Sequence, residues 1–350
     1  MDPIVLFHTH GLGEFDFSDL SPAELELVNE LAKNRNVKIC PTVYLTKANI
    51  VSFDHLIKRY AVLKAQGKLP HILGFSIEGP VLGSKGGTPT GSVWSPSPQT
   101  WKKISEWFEI GLKYIVISPD KLALTEEIGP SFSFADLLLL IYSSGGRIAL
   151  GHFEGIDPEL SVTRLHEVLS LLEEHFQPSE YLVLTDHLFN DMPRSFMHAF
   201  RTPQERKQRK QELKKHDENP WTSKNLSDLL GPVPAAMLIA AKDGRLTPAL
   251  NFDGGHVDLE ICRLTMKYLG SRKLIAMTDH SERHTLAGEK LYLNDQTRLL
   301  YRDDGVLAAS SVPHENQIRN MKSIGLSDDD ILDVFTLNPL KALNYRPAPK

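Results

Sequence analysis

Short apolar runs alternate with longer segments carrying apolar residues three and four apart, from one end of the chain to the other. The short runs are rich in β-branched residues and too brief for helices, so they read as buried strands. They cover residues 4–8 (I-V-L-F-H), 38–45, 72–78, 113–118, 147–151, 181–186, 246–252 and 273–278. The longer segments, 22–34, 53–65, 99–109, 134–143, 159–176 and 258–268, read as amphipathic helices. The first of them is opened by S-P-A-E, with Ser21 as N-cap, Pro22 in the first helical position and Glu24 closing a capping box. Strand–helix alternation over eight strands predicts a parallel sheet, and eight is the number that closes a (β/α)₈ barrel. The expectation is therefore one α/β barrel domain over residues 1–350. Two stretches break the alternation. Residues 79–97, rich in Gly, Pro and Ser, follow the third strand, and a polar, mostly basic run at 201–221 follows the sixth as an insertion. Glu205, Glu212 and Glu218 dilute that run, which reads as a solvated surface helix.

In a barrel, chemistry collects at the C-terminal ends of the strands. The predicted strands end in a consistent set of residues. The first ends in His8 and His10, the third in Glu78, the fifth in His152, the sixth in His187 and the eighth in Asp279. A strand-end histidine taken singly is a core or loop residue, and the chain has 14 histidines. Six imidazole or carboxylate groups on five strand ends are different, because they converge on one rim. Imidazole and carboxylate suit Zn²⁺ or Fe²⁺, and such a mixture leaves an open position for water. A cation there lowers the pKa of that water toward ~7. Asp279 is the carboxylate placed to take and return its proton. His71, His166, His175, His216 and His284 lie away from the strand ends and read as structural.

Composition narrows the class. A chain of 350 residues with 41% hydrophobic and 24% charged residues has ample core material, and its net charge of −5 argues against general nucleic-acid binding. No apolar run approaches the ~18 residues of a membrane span, so the cytoplasm is the expected compartment. Cys40 and Cys262 sit among apolar neighbours and read as buried thiols.

The chain resembles the amidohydrolase superfamily, and within it the N-acetylglucosamine-6-phosphate deacetylase family. The resemblance is carried by H-T-H-G (8–11), C-P-T-V-Y-L-T (40–46), G-F-S-I-E-G-P (74–80), G-H-F (151–153), H-L-F-N-D-M (187–192), D-G-G-H-V-D (253–258), M-T-D (277–279), D-G-V-L-A-A-S (304–310) and T-L-N-P-L-K-A-L (336–343). It implies a TIM-like barrel of the amidohydrolase type, with little chain left for the small β-sandwich that members add. It implies a main metal triad of Glu78, His152 and His187, with His8 and His10 adding a second ion that shares Glu78. Asp279 looks like the general acid/base. Gly87, Asn190, Asp191, His256, Leu307 and Ala308 occupy positions that resemble the substrate contacts, and His256 reaches a neighbouring subunit in some members, which implies a homodimer. The implied reaction is removal of acetate from N-acetylglucosamine 6-phosphate. Four positions depart from the pattern. Thr88 replaces a histidine in K-G-G-T, L-L-G-P (229–232) lacks a phosphate-binding arginine, Asp191 stands at a usual alanine, and His280 follows Asp279 in place of alanine. Arg194, Arg201 and the basic run are the cations that could stand in for the missing arginine. The other expectations are a related amidohydrolase acting on an unphosphorylated or larger N-acyl substrate, and a non-catalytic, metal-stabilised binding protein.

Overall fold

A computed structural model of the chain describes residues 3–192, 211–216 and 218–350. Eight parallel strands close on themselves. They are β1 (Ile4–Thr9), β2 (Val37–Tyr44), β3 (Phe75–Glu78), β4 (Leu112–Ile117), β5 (Ile148–Leu150), β6 (Leu184–His187), β7 (Thr247–Asn251) and β8 (Ile275–His280). Each pairs with the next, and β8 closes the ring on β1, where Phe7 lies opposite Cys40 on one side and Met277 on the other. Successive residues of a strand face opposite ways, so each strand serves two cores. Val5, Phe7, Cys40, Tyr114, Val116, Leu184, Ile275 and Met277 fill the barrel interior. Their neighbours Leu6, Ile39, Ile115 and Ala276 pack outward into the layer beneath the helices. Burial pushes the Cys40 thiol up to about 12, which removes it as a nucleophile at neutral pH.

The helices around the barrel include α1 (Leu25–Asn34), α2 (Ile50–Ala65), α3 (Pro98–Ile110), α4 (Phe134–Ser143), α5 (Pro158–His175), α6 (Pro232–Lys242), α7 (Leu259–Leu269) and α8 (Asn338–Asn344). The predicted capping box is present ahead of α1, with the Ser21 amide donating to the Glu24 carboxylate at 2.8 Å. Pro22–Glu24 form a 3₁₀ turn, so the regular helix starts later than the spacing predicted. Helix α6 was not expected. Its sequence P-V-P-A-A-M-L-I-A-A-K is buried nearly all round, so it shows no polar face and no amphipathic period.

After β8 three further strands join the barrel sheet outside the ring: β9 (Tyr292–Leu293), β10 (Leu299–Tyr301) and β11 (Leu307–Ser310). They are antiparallel to one another, and β11 docks beside β8 through His280 and Ser310. This extension carries Leu307 and Ala308 over the barrel mouth. The 79–97 loop and the 187–200 segment are expected to line that mouth; Gly87 and Thr88 of the first and Asn190 of the second reach it, and residues 193–200 lie outside the described residues. Arg194, Arg201 and most of the 201–221 run lie outside the described residues. Among the described residues, no helix is long and apolar enough to cross a membrane.

Candidate metal centre and active site

All six strand-end groups meet at the C-terminal rim, buried. His8 and His10 are fully enclosed, and Glu78, His152, His187 and Asp279 nearly so. His8, His152 and Asp279 have left-handed backbone, with φ of 57°, 51° and 44°. Non-glycine residues rarely adopt this conformation, and it turns each strand end so that its side chain enters the mouth.

The groups form one continuous cluster. His8 Nε2 lies 2.9 Å from Glu78 Oε2, and His152 Nε2 lies 3.0 Å from Glu78 Oε1. His10 Nε2 sits 3.2 Å from both Glu78 Oε2 and Asp279 Oδ1. A carboxylate that the sequence reading passed over, Asp186, stands at the centre. Its Oδ1 is 3.2 Å from His8 Nδ1, and its Oδ2 is 3.3 Å from His152 Nε2 and 3.1 Å from His187 Nε2. Ligand-capable atoms of Glu78, His152, Asp186 and His187 lie within 4.8 Å of one another, and His8, His10 and Asp279 form an adjoining group.

Buried polar atoms are ordinarily hydrogen-bonded, and here many are not. Among the described residues, both Asp186 oxygens, His152 Nε2, and Nδ1 of His8, His10 and His187 have no hydrogen-bond partner. Buried carboxylates crowded on imidazoles, with orphaned donor and acceptor atoms turned on one another, suit a divalent cation. The residues therefore fit the implied metal. Without one, the charges balance internally. Burial alone would depress His10, but hydrogen bonds to Asp279 and Glu78 raise it to about 10. Burial would raise Glu78, yet the imidazoles of His10, His152 and His8 hold it well below the carboxylate range. Asp186 is lowered in the same way, against its burial, by His187, His8 and His152.

Asp279 is held by a second arm. His256 Nε2 is 2.9 Å from Asp279 Oδ2, and His256 Nδ1 is 2.6 Å from Asp253 Oδ2. The D-G-G-H turn makes this geometry, because Asp253 Oδ1 accepts the amides of Gly255 and His256 and so fixes the ring. Burial alone would lower His256, but Asp253 and Asp279 raise it to about 10. Hydrogen bonds from His10 and His256 in turn overcome burial and keep Asp279 ionised. The structure thus places His256 in this chain's own site, against Asp279. Asp253 was not expected, although its i, i+3 spacing from a histidine after a buried strand is a readable signal. Tyr44, also missed, stacks on His10 at 4.3 Å between ring centres. Its hydroxyl lies 3.1 Å from His10 Nε2.

A cavity of about 350 Å³ opens above the cluster. Gly87, Asn190, Asp191, His256, Leu307 and Ala308, the residues expected to touch substrate, all line it, together with Tyr44, Thr88 and Met192. Gly87 is required there, since a Cβ would lie 2.2 Å from the Leu307 carbonyl oxygen.

No protein-family model and no curated protein matches the sequence. The fold itself is a (β/α)₈ barrel, and solved structures match it over almost the whole chain. N-acetylglucosamine-6-phosphate deacetylase from Pasteurella multocida superposes with a TM-score of 0.70 at 18% identity, covering 98% of this chain and 76% of that one. The deacetylase from Mycobacterium smegmatis, solved as a mutant in complex with N-acetyl-D-glucosamine-6-phosphate, gives 0.68 at 18%, with 99% and 78% covered. The Thermotoga maritima enzyme gives 0.68 at 16%, with 98% and 78% covered.

Proposed function

We propose that the protein is a metal-dependent amidohydrolase that removes the acyl group from an N-acylated amino sugar. The observation that carries this reading is the set of orphaned ligand atoms buried beside Asp279 beneath a sugar-sized cavity. The likeness to deacetylases supports the choice of an amide bond. Glu78, His152, Asp186 and His187 would hold the cation, with His8 and His10 beside them. When bound, it supplies Lewis acidity, which polarises the acyl carbonyl and acidifies a water. Asp279 takes the proton from that water as its oxygen bonds to the carbonyl carbon. Asp279 then delivers the proton to the amine nitrogen as the carbon–nitrogen bond breaks, and the second water proton passes from the carboxylic acid to the amine, releasing carboxylate and ammonium. His256, anchored by Asp253, holds the Asp279 carboxylate in position and stabilises its charged form. Zinc or iron(II) suits the imidazole and carboxylate ligands, a second ion and assembly as a homodimer rest on the sequence resemblance, and a cytoplasmic location belongs to the same reading.

The test is acetate release from N-acetylglucosamine and its 6-phosphate, before and after chelation, beside the Asp279→Asn variant. Chelation is expected to abolish turnover and metal return to restore it. Asp279→Asn is expected to keep the metal and lose a factor of ~10² or more. A fully active chelated protein, or a fully active Asp279→Asn variant, would refute the proposal.

A further inference from the structure

The wall of the cavity formed by the turn after β6 points to a substrate without phosphate: we propose that Asp191 is a specificity-determining residue, selecting a neutral amino sugar through its hydroxyls and excluding the phosphorylated one. This rests on the amidohydrolase reading above and goes on to name the substrate class.

Asp191 is held in place rather than hanging at the rim. It ends the H-L-F-N-D turn with φ of 41°, following Phe189 at 76°. The Asn190 amide donates to His187 O at 3.0 Å, and the Phe153 amide donates to Asp191 O at 2.9 Å, so both flanking strands grip the turn. The carboxylate lines the cavity, 29% exposed, with Oδ2 at 3.4 Å from His152 Nδ1. The opposite loop is shaped around it. A Cβ on Gly86 would lie 1.6 Å from Asp191 Oδ2, so only glycine leaves room for the carboxylate.

The electrostatics of the lining agree. Glu78, Asp191 and Asp279 are its carboxylates, and among the described residues no lysine or arginine lines it. Its imidazoles are committed, His256 to Asp253 and Asp279, and His152 and His187 to the metal cluster. The basic groups nearest the facing loop are engaged elsewhere. Arg302 donates to the Thr88 carbonyl at 2.6 Å and lies near Glu289 and Asp304, while Lys85 donates to Thr90 Oγ1 at 3.1 Å. A phosphate dianion enclosed here would need charge-assisted donors and would instead meet a carboxylate. An ionised carboxylate accepts hydrogen bonds and cannot donate them, so its natural partners on a sugar are hydroxyl groups. The Mycobacterium smegmatis deacetylase was solved with a 6-phosphate sugar. The present pocket would take the same sugar without the phosphate.

Two measurements on the metal-loaded protein test this. The first is the ratio of kcat/KM for N-acetylglucosamine to that for its 6-phosphate. The second, independent of turnover, is calorimetric affinity for glucosamine and glucosamine 6-phosphate. Wild type is expected to favour the neutral sugar by about tenfold or more in both, the weight of one charge-assisted contact. Asp191→Ala is expected to move both ratios toward the phosphorylated sugar by about tenfold. Asp191→Asn, which keeps the shape of the turn, is expected to shift them the same way while binding the same amount of metal. A wild-type ratio at or below one, or variants that leave both ratios unchanged, overturns the inference. If neither acetyl sugar is hydrolysed but glucosamine still binds at least tenfold tighter than its phosphate, the amidohydrolase reading falls and the selectivity stands. Binding of neither sugar overturns both.

Discussion

Strand β8 separates two cavities that differ in more than size. Asp279 faces the one inside the barrel mouth, about 350 Å³. Its neighbours Thr278 and His280 face outward into a larger one, about 540 Å³, lined also by Arg35, Glu282, His314 and Glu315. The larger cavity has as many charged and imidazole groups, but they satisfy one another. Glu282 is clasped by Arg35, with Nη2 to Oε2 at 3.1 Å, and lies 3.3 Å from His280 Nε2. His314 lies 3.3 Å from Glu315. In the smaller cavity both Asp186 oxygens, His152 Nε2 and Nδ1 of His8, His10 and His187 are left without a well-formed hydrogen bond and turned on one another. The difference teaches that unmet valence, rather than volume, marks the reactive side of a strand. A group whose partners are supplied by the fold is structure, whereas a group that the fold leaves wanting requires a ligand.

The comparison can be broken from either side, and the inner side should respond most. Replacing Glu78 or Asp186 by alanine is expected to strip the metal and take turnover to background, read by metal analysis and acetate release. Full metal content in Asp186→Ala would mean that this carboxylate only balances charge. His256→Ala should keep the metal and lower kcat by ~10- to 100-fold, the usual weight of a group that orients a reactive one, with KM little changed. An unchanged kcat would show that Asp279 needs no second arm.

Acidity offers a subtler probe. His256 is raised from its ordinary 6.5 to about 10 in the folded protein, so its pairing contributes stability fully below ~6.5 and loses it as pH rises through about 10. Asp253 is lowered in the fold, by His256 and by backbone amides working against its burial, and its contribution is instead lost in acid. The metal-free protein should therefore melt progressively lower from pH 7 to 10.5, and His256→Gln should flatten that alkaline decline. A variant that falls as steeply as wild type would place the titration elsewhere. The smallest effect belongs to the outer cavity. Glu282→Gln breaks pairs that are about a third exposed, so it should cost under ~1 kcal/mol and leave kcat/KM within about twofold. A tenfold change there would make the outer cavity part of the machinery.

The barrel and most of its rim were legible in the chain because strand ends are where a parallel barrel puts its chemistry, and apolar runs mark those ends. His8, His10, Glu78, His152, His187 and Asp279 were singled out this way, and the structure brings them together at one rim. Asp186 was missed for the same reason, since it sits inside the apolar run of β6 and looked like the strand's last residue instead of a member of the site. Tyr44 depends on its contact with His10 across neighbouring strands, which no local pattern encodes, whereas Asp253 lies three residues from His256 in one turn, a local spacing that was passed over. Helix α6 escaped because a helix buried on all sides carries no period. The β9–β11 extension escaped because its strands run only two to four residues.

The left-handed backbone at His8, His152 and Asp279 bears on how such a protein could fall silent. Asparagine is among the few side chains that accept that conformation, and a single base change converts a histidine or aspartate codon to an asparagine codon. At these positions the mutations nearest in the genetic code are thus also the ones the backbone tolerates best. A lineage could shed its chemistry one letter at a time while its fold, and any likeness judged by fold, stayed intact.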